Sequence, residues 1–331
     1  MCAGRNKDPS NNGKEIGESI EISVRGRWIQ VPAMKFDEKI IAVTGTWIKL
    51  AVVHDEVWLD SELENPEACV EKLRKRMAQG LRADIFTFTQ KLPDTIPRYN
   101  YHSELDSVAA VKTSSFKEWW ENLPQESRKN ARRSHKRGVK ISVLEFGDEL
   151  IQGIVGINND APMKQGRTND HYGKSLERVR KDQESFQGRS DFICAHVGEE
   201  MIGYLKLVYR GQVAAILNLT CKPSHFDKRP SNALLTKAIE LCEQKGITHL
   251  TYGKFSYGNK RNSSMREFKI RNGFEEILVP RYYIPLTPWG EVCTRLKLYR
   301  GLVGILPESV IALGVGARAK WYDLRSVSKP V

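Results

Sequence analysis

Residues 191–274 read DFICAHVGEEMIGYLKLVYRGQVAAILNLTCKPSHFDKRPSNALLTKAIELCEQKGITHLTYGKFSYGNKRNSSMREFKIRNGF. Three apolar runs rich in β-branched residues, 192–197, 201–209 and 213–221, are separated by Gly198-Glu199-Glu200 and Gly211-Gln212, which predicts two consecutive antiparallel hairpins. A helix is expected over 231–245, with Leu234, Leu235, Ala238, Ile239, Leu241 and Cys242 on a wide apolar face and Gly246 as its stop. A strand at 248–252, a helix at 263–271 and a last strand at 275–284 complete the run. Hairpins that feed straight into helical crossovers predict a mixed α/β sheet.

Upstream, strands are expected at 39–44, 46–53, 56–59, 84–89, 107–112 and 139–144. Helices are expected at 65–81, with Pro66 in its first turn, and at 148–158 and 174–186. Ser114 or Ser115 followed by Glu118 forms a capping-box pattern for a helix carrying Trp119, Trp120 and Leu123. Leu123-Pro124 ends that helix, and a second runs over 125–137 to Gly138. The polar stretch 158–173, with Gly166 and Gly173, reads as a mobile loop.

The chain has 331 residues, enough for two domains, and 40% of them are apolar. Its formal net charge of +12 favours an anionic partner such as nucleic acid, a phosphorylated substrate or an anionic lipid surface. The six cysteines form no C-x-x-C pair, so neither a zinc site nor a thioredoxin-like motif is expected, and no metal is expected. Scattered thiols of this kind suit a reducing, cytoplasmic compartment. Residues 1–36 are expected to form a disordered tail without the apolar core of a signal peptide, and no apolar run is long enough to span a membrane.

Three segments offer chemistry. Between Arg128 and Lys140 there are seven basic residues and no acid. At helical spacing Arg128, Arg132 and Lys136 form one column and Lys129, Arg133 and Arg137 another, so like charges repel unless an anion lies against them. A solvated face in a basic chain would have the same composition. The loop His225-Phe226-Asp227-Lys228-Arg229-Pro230-Ser231-Asn232 precedes the central helix, where free N–H groups, Lys228 and Arg229 would favour phosphate, or where Ser231 or Asn232 would simply cap the helix. The loop after the strand at 248–252 carries Tyr252 and Tyr257 as candidate proton donors and Lys254 as a candidate anion ligand, and Glu267 on the next helix is a candidate base. A surface loop and an exposed helical glutamate would look the same.

Asn262, a short helix and Gly273-Phe274, set in this strand and helix order, resemble the GNAT acyltransferase superfamily. The stretch Ser114-Ser115-Phe116-Lys117-Glu118-Trp119, with Leu123-Pro124, Arg128, Asn130, Ala131, Arg132, Arg133 and Gly138-Val139, resembles the linker helices of its FemAB-like, double-GNAT branch. The resemblance covers roughly 107–286. It implies a GNAT acyl-CoA N-acyltransferase-like fold, with 37–113 as a reduced N-terminal GNAT-like half, 114–290 as the acyltransferase domain and 291–331 as a basic amphipathic C-terminal segment.

The resemblance further implies transfer of an acyl or aminoacyl group from a thioester or ester to an amine, on a cell-envelope or polysaccharide precursor. Acyl-CoA or aminoacyl-tRNA would be the co-substrate, with no tightly bound cofactor. Asn218, Leu219 and Thr220 would lie along the donor; Lys228, Arg229, Ser231, Asn232 and Asn262 would hold it. Arg128, Arg132, Arg133, Lys136 and Lys254 would hold a phosphate-bearing substrate or tRNA. Two features depart from acetyl-CoA enzymes: the loop before the central helix has no glycine, and Lys269 stands where a tyrosine acid often precedes the glycine by four residues. Other readings are an acetyl-CoA-dependent N-acetyltransferase, and a non-catalytic module that binds RNA or a membrane.

In the last segment, 296–322 is expected to form two short helices split at Pro307, with Arg295, Lys297 and Arg300 before an apolar stretch and Arg318, Lys320, Trp321 and Tyr322 after it. Such a segment would either pack on the body or touch an anionic membrane peripherally at its cytoplasmic face.

Overall fold

A computed structural model describes residues 19–24, 27–54, 62–164, 167–256 and 264–300. The expected strand at 56–59, the residues Tyr257 and Asn262, and the helices expected after residue 300 lie outside them.

The N-terminal half begins with β1 (Ser19–Val24), β2 (Arg27–Phe36), β3 (Lys39–Thr44) and β4 (Leu50–Val53), an antiparallel meander. Strands therefore replace the expected tail over 19–24 and 27–36. Ile20 and Ile22 alternate with polar residues and face Val31 and Ile29 across the pair, and Val31, Ala33, Met34 and Phe36 are buried. Helix α1 (Pro66–Ala78) crosses over to β5 (Ile85–Thr89), which lies parallel to β4. Asn65 caps α1 by accepting from the Ala68 N–H, and Cys69, Val70 and Leu73 bury against Phe86, Phe88 and Tyr282.

The C-terminal half repeats this plan on a larger scale. After β6 (His102–Lys112) come α2 (Phe116–Asn122), α3 (Gln125–Lys136), β7 (Lys140–Leu144) and α4 (Asp148–Asn158). Ser115 caps α2 through the Glu118 N–H, as the capping box requires. The stretch read as a mobile loop holds a short hairpin, β8 (Met163–Lys164) with β9 (Arg167–Thr168). Its base is fixed by the buried Asn169, which donates to the Asn158 and Ala161 carbonyls.

Helix α5 (Leu176–Gln183) leads into the hairpins β10 (Ser190–Val197), β11 (Glu200–Arg210) and β12 (Val213–Cys221). Helix α6 (Pro230–Gln244) crosses to β13 (His249–Lys254), parallel to β12. Helices α7 (Ser264–Arg271) and α8 (Pro288–Arg295) flank the last strand, β14 (Glu275–Pro285). The basic C-terminal segment thus starts inside α8 rather than after a boundary at 290.

Twelve strands form one sheet in the order β1-β2-β3-β4-β5-β14-β6-β13-β12-β11-β10-β7. The two halves exchange strands. β14 inserts between β5 and β6, while β6 closes the edge of β13. Each half therefore completes its hydrogen-bond ladder with a strand of the other. The larger core packs Leu234, Leu235, Ala238, Ile239 and Cys242 of α6 on Ile193, Ile202, Leu205 and Leu250, with Trp119 and Phe274 at its rim. The five cysteines among the described residues are buried free thiols.

Candidate functional site

β12 and β13 pair only from Val213↔His249 to Ala215↔Thr251. Beyond that point β12 continues to Cys221 and β13 to Lys254, and among the described residues no strand pairs with the β13-facing edge of 216–221. On its other edge β12 keeps its ladder with β11, shifted where Leu207 faces Ile216 and Lys206 faces Asn218, so Leu217 is the extra residue of a bulge. A second irregularity on β13, between Thr251 and Lys254, contains Gly253 at φ 58°. The two parallel strands thus part at the centre of the sheet and leave backbone groups open to an extended ligand.

Asn218, Leu219 and Thr220 lie along this open edge. Asn218 and Thr220 share the sheet face of their partners Lys206 and Tyr204. Leu219 packs against the larger core. What the segment offers a ligand is therefore its main chain.

A cleft of about 360 Å³ opens at the N-terminus of α6. Its walls include Asn130 of α3, Arg229, Ser231 and Asn232 of α6, and Glu267 and Arg271 of α7. A 3-10 turn, Pro223–Lys228, leads into it, and Arg229 follows in the left-handed region at φ 57° as the N-cap of α6. Pro230 is the first helical residue, so Ser231 and Asn232 sit inside the helix and neither caps it; no side chain does. The Asn232 N–H turns back to the Arg229 carbonyl, and the Asn232 side chain donates to Asn272 Oδ1. The uncapped N-terminus presents the positive end of the helix dipole to the cleft.

The cleft floor is fixed by hydrogen bonds between helices. Ser127 Oγ donates to the Arg271 carbonyl at 2.5 Å, and Trp119 Nε1 donates to the Asn272 carbonyl. Asn272 Nδ2 returns to the Phe268 carbonyl at 2.7 Å. Arg137 of α3 donates to the Asp227 carbonyl, holding the preceding turn.

The basic helix divides. Ser127, Ala131 and Ser134 are its buried side. Asn130 and Arg137 fall on the flank that meets the cleft and its entry turn, and Arg133 pairs with Glu126 on that side. Arg128 and Arg132 lie on the opposite flank, where Arg132 stands over the Trp120 ring, and Lys136 falls on the outer side away from the buried face; none of the three lines the cleft. The cations grouped together in the sequence therefore face two different surfaces.

Lys254 is also placed differently from expectation. Its amine is 3.5 Å from Asp106, which also takes a 2.6 Å bond from Arg281. Lys228 is half-buried beside the cleft but is not part of its wall. Glu267 lines the cleft 3.3 Å from Arg271, so it neutralises part of the cationic wall.

Tyr252 sits at the core rim with its ring 6.0 Å from that of Phe274. Above it lies a buried residue that the sequence reading did not place in the site. Lys269, in the tyrosine position four residues before Gly273, is completely buried, with its amine 4.9 Å from the Tyr252 ring centre and donating to the Lys254 carbonyl at 2.6 Å. Burial pushes its pKa down to about 8. The available signal was positional: a lysine stands four residues before Gly273, where the resemblance expects a tyrosine.

No protein-family model matches the chain, and no curated protein matches it. Solved structures do. The C-terminal domain of a protein assigned as a lysylphosphatidylglycerol synthetase from Agrobacterium fabrum matches with a TM-score of 0.53 at 11% identity, over 83% of this chain and 90% of that one. FemX matches with a TM-score of 0.53 at 10% identity, over 84% of this chain and 90% of that one. The chain shares the mixed α/β fold of these two proteins, in line with the fold that the sequence resemblance implied.

Proposed function

We propose that the chain transfers an acyl or aminoacyl group from a phosphate-bearing donor to an amine. The observation that carries this reading is the combination of an uncapped α6 N-terminus, in a cleft lined by Arg229 and Arg271, with an open edge at 216–221 on the strand that leads into that helix. Phosphates would rest against the helix N-terminus and the two guanidiniums. The acyl arm would run along the open edge, pairing with its main chain. The acceptor amine would attack the donor carbonyl carbon. The C–S bond of a thioester or the C–O bond of an ester would break, the leaving thiol or hydroxyl taking up a proton as the amine loses one.

Backbone N–H groups on the open edge would stabilise the oxyanion. Lys269, whose pKa burial lowers to about 8, would serve as a proton-exchanging amine in place of a tyrosine. The glycine-free loop at 227–232 and the cationic flank Arg128, Arg132 and Lys136 favour a donor or acceptor larger than acetyl-CoA, such as aminoacyl-tRNA, with the acceptor amine on a cell-envelope or polysaccharide precursor. FemX and the Agrobacterium fabrum domain support the fold of this reading.

The test is turnover. Acetyl-CoA, longer acyl-CoA thioesters and charged tRNA are each incubated with the chain and an amino-sugar or peptide amine. Donor-dependent amide formation supports the proposal. If no donor is consumed and none raises the melting temperature, while RNA binds with steep salt dependence, the chain is a binding module instead.

A further inference from the structure

Two tryptophans protrude side by side at the end of the sheet remote from α6. Trp47, in the turn between β3 and β4, is 86% exposed, and Trp289, in the first turn of α8, is 47% exposed. Trp289 Nε1 donates to the Trp47 carbonyl at 3.3 Å. Val292 and Leu296, three and seven residues after Trp289, continue an exposed apolar stripe along α8, at 44% and 61%.

This stripe is built rather than incidental. Asp84 ties its two parts together, accepting from the Lys49 N–H at 2.7 Å and from the Thr287 hydroxyl at 3.0 Å, while Thr287 caps α8 through the Gly290 N–H. Gly290 presses on the same residue so closely that a Cβ there would lie 1.9 Å from the Asp84 carbonyl oxygen. The tryptophans are therefore held on one rigid body, with the α8 backbone against β5.

Charge identifies the occupant. Lys49 and Lys297 flank the stripe, and among the described residues neither has a carboxylate at ion-pair distance. Arg295 and Arg300 add two more cations, paired with Glu291 and Glu104. Residues 301–331 continue directly from this patch and add Arg318, Lys320, Arg325 and Lys329 against Glu308 and Asp323. No described helix is long and apolar enough to cross a membrane.

We propose that the surface formed by Trp47, Trp289, Val292 and Leu296 docks on an anionic lipid bilayer, the tryptophans entering the interface and the lysines meeting the headgroups. This inference is independent of the transfer reading, since binding is measured without any donor or acceptor.

The experiment is vesicle flotation of the full chain, with phosphatidylcholine alone and with phosphatidylcholine containing phosphatidylglycerol, for the parent and for Trp47→Ser/Trp289→Ser. The parent should float with the anionic vesicles and much less with the neutral ones. The double variant should bind the anionic vesicles at least about tenfold more weakly, with an unchanged melting temperature in the absence of lipid. Equal binding by the variant, or no flotation of the parent, would overturn the proposal. A large lipid-free fall in melting temperature would also overturn it, because it would mean that residues 301–331 cover the stripe.

Discussion

The Lys269 amine donates to the Lys254 carbonyl at 2.6 Å, joining α7 to the last residue of β13 where the parallel strands have already parted. A fully buried cation thus fixes one lip of the strand opening. Its cost and its use are both readable by titration.

Lys206 and Lys269 are the two buried lysines among the described residues, and burial lowers the pKa of each to about 8. Their unfolded values lie near 10.4. Below pH 8 both are protonated in either state, and the desolvation cost is fully present. Between pH 8 and about 10.4 the unfolded chain holds more protons at these two sites, so their contribution to stability rises with pH. The buried thiols Cys69, Cys194 and Cys242 act in the opposite sense above about pH 8.5, because burial raises each to about 12. The lysine contribution is therefore read as a difference: between pH 7.5 and 9.5 the melting temperature of the parent, followed by circular dichroism, should rise relative to that of Lys269→Met. A constant difference between the two would contradict the assignment.

Replacing Arg229 with Asn and Arg271 with Gln removes both guanidiniums from the cleft while leaving residue 229 able to hold its left-handed backbone. Donor affinity, measured by calorimetry, should fall by about tenfold or more, as expected for loss of charge-assisted bonds. Arg132→Gln, on the opposite flank of α3, should leave the affinity for acyl-CoA unchanged.

Asp106 receives both Arg281 and Lys254 in the middle of the exchanged strands. Asp106→Asn leaves Arg281 without its carboxylate. Because the paired side chains are 15–18% exposed, the loss should be about 2 kcal/mol, below that of a fully buried pair. Urea unfolding checks it, with an unchanged slope showing that the two halves still unfold together.

Gly290→Ala would drive a methyl group into the backbone at Asp84. The stability loss should be about 3 kcal/mol, and the Trp47 and Trp289 fluorescence should shift as the turn and α8 separate.

Most of the C-terminal half was legible because glycines and prolines punctuate it. Strand β12 and helix α4 match their sequence expectations residue for residue, and Ser115 caps as expected. Strands β1 and β2 were hidden by interleaved Glu21, Arg25, Arg27 and Pro32, although Ile20, Ile22 and Val24 alternate at strand period. The extension of β6 back to His102 carried no apolar alternation, since its polar residues face β14 partners more than 170 positions away. Pairing at that separation leaves no local trace, so the strand exchange was not readable. The basic helix was found, but its division between two surfaces depended on which side packs on α6. Lys269 was noticed only as a departure, because burial of an amine is a tertiary property.

Amide hydrogen exchange in the presence of acetyl-CoA, and separately of charged tRNA, tests the donor site most directly. The account predicts slowed exchange at Ser231–Ala233 and along 216–221 together, with at least one of the two donors. Protection confined to the outer face of α3, or none at either segment, would contradict it.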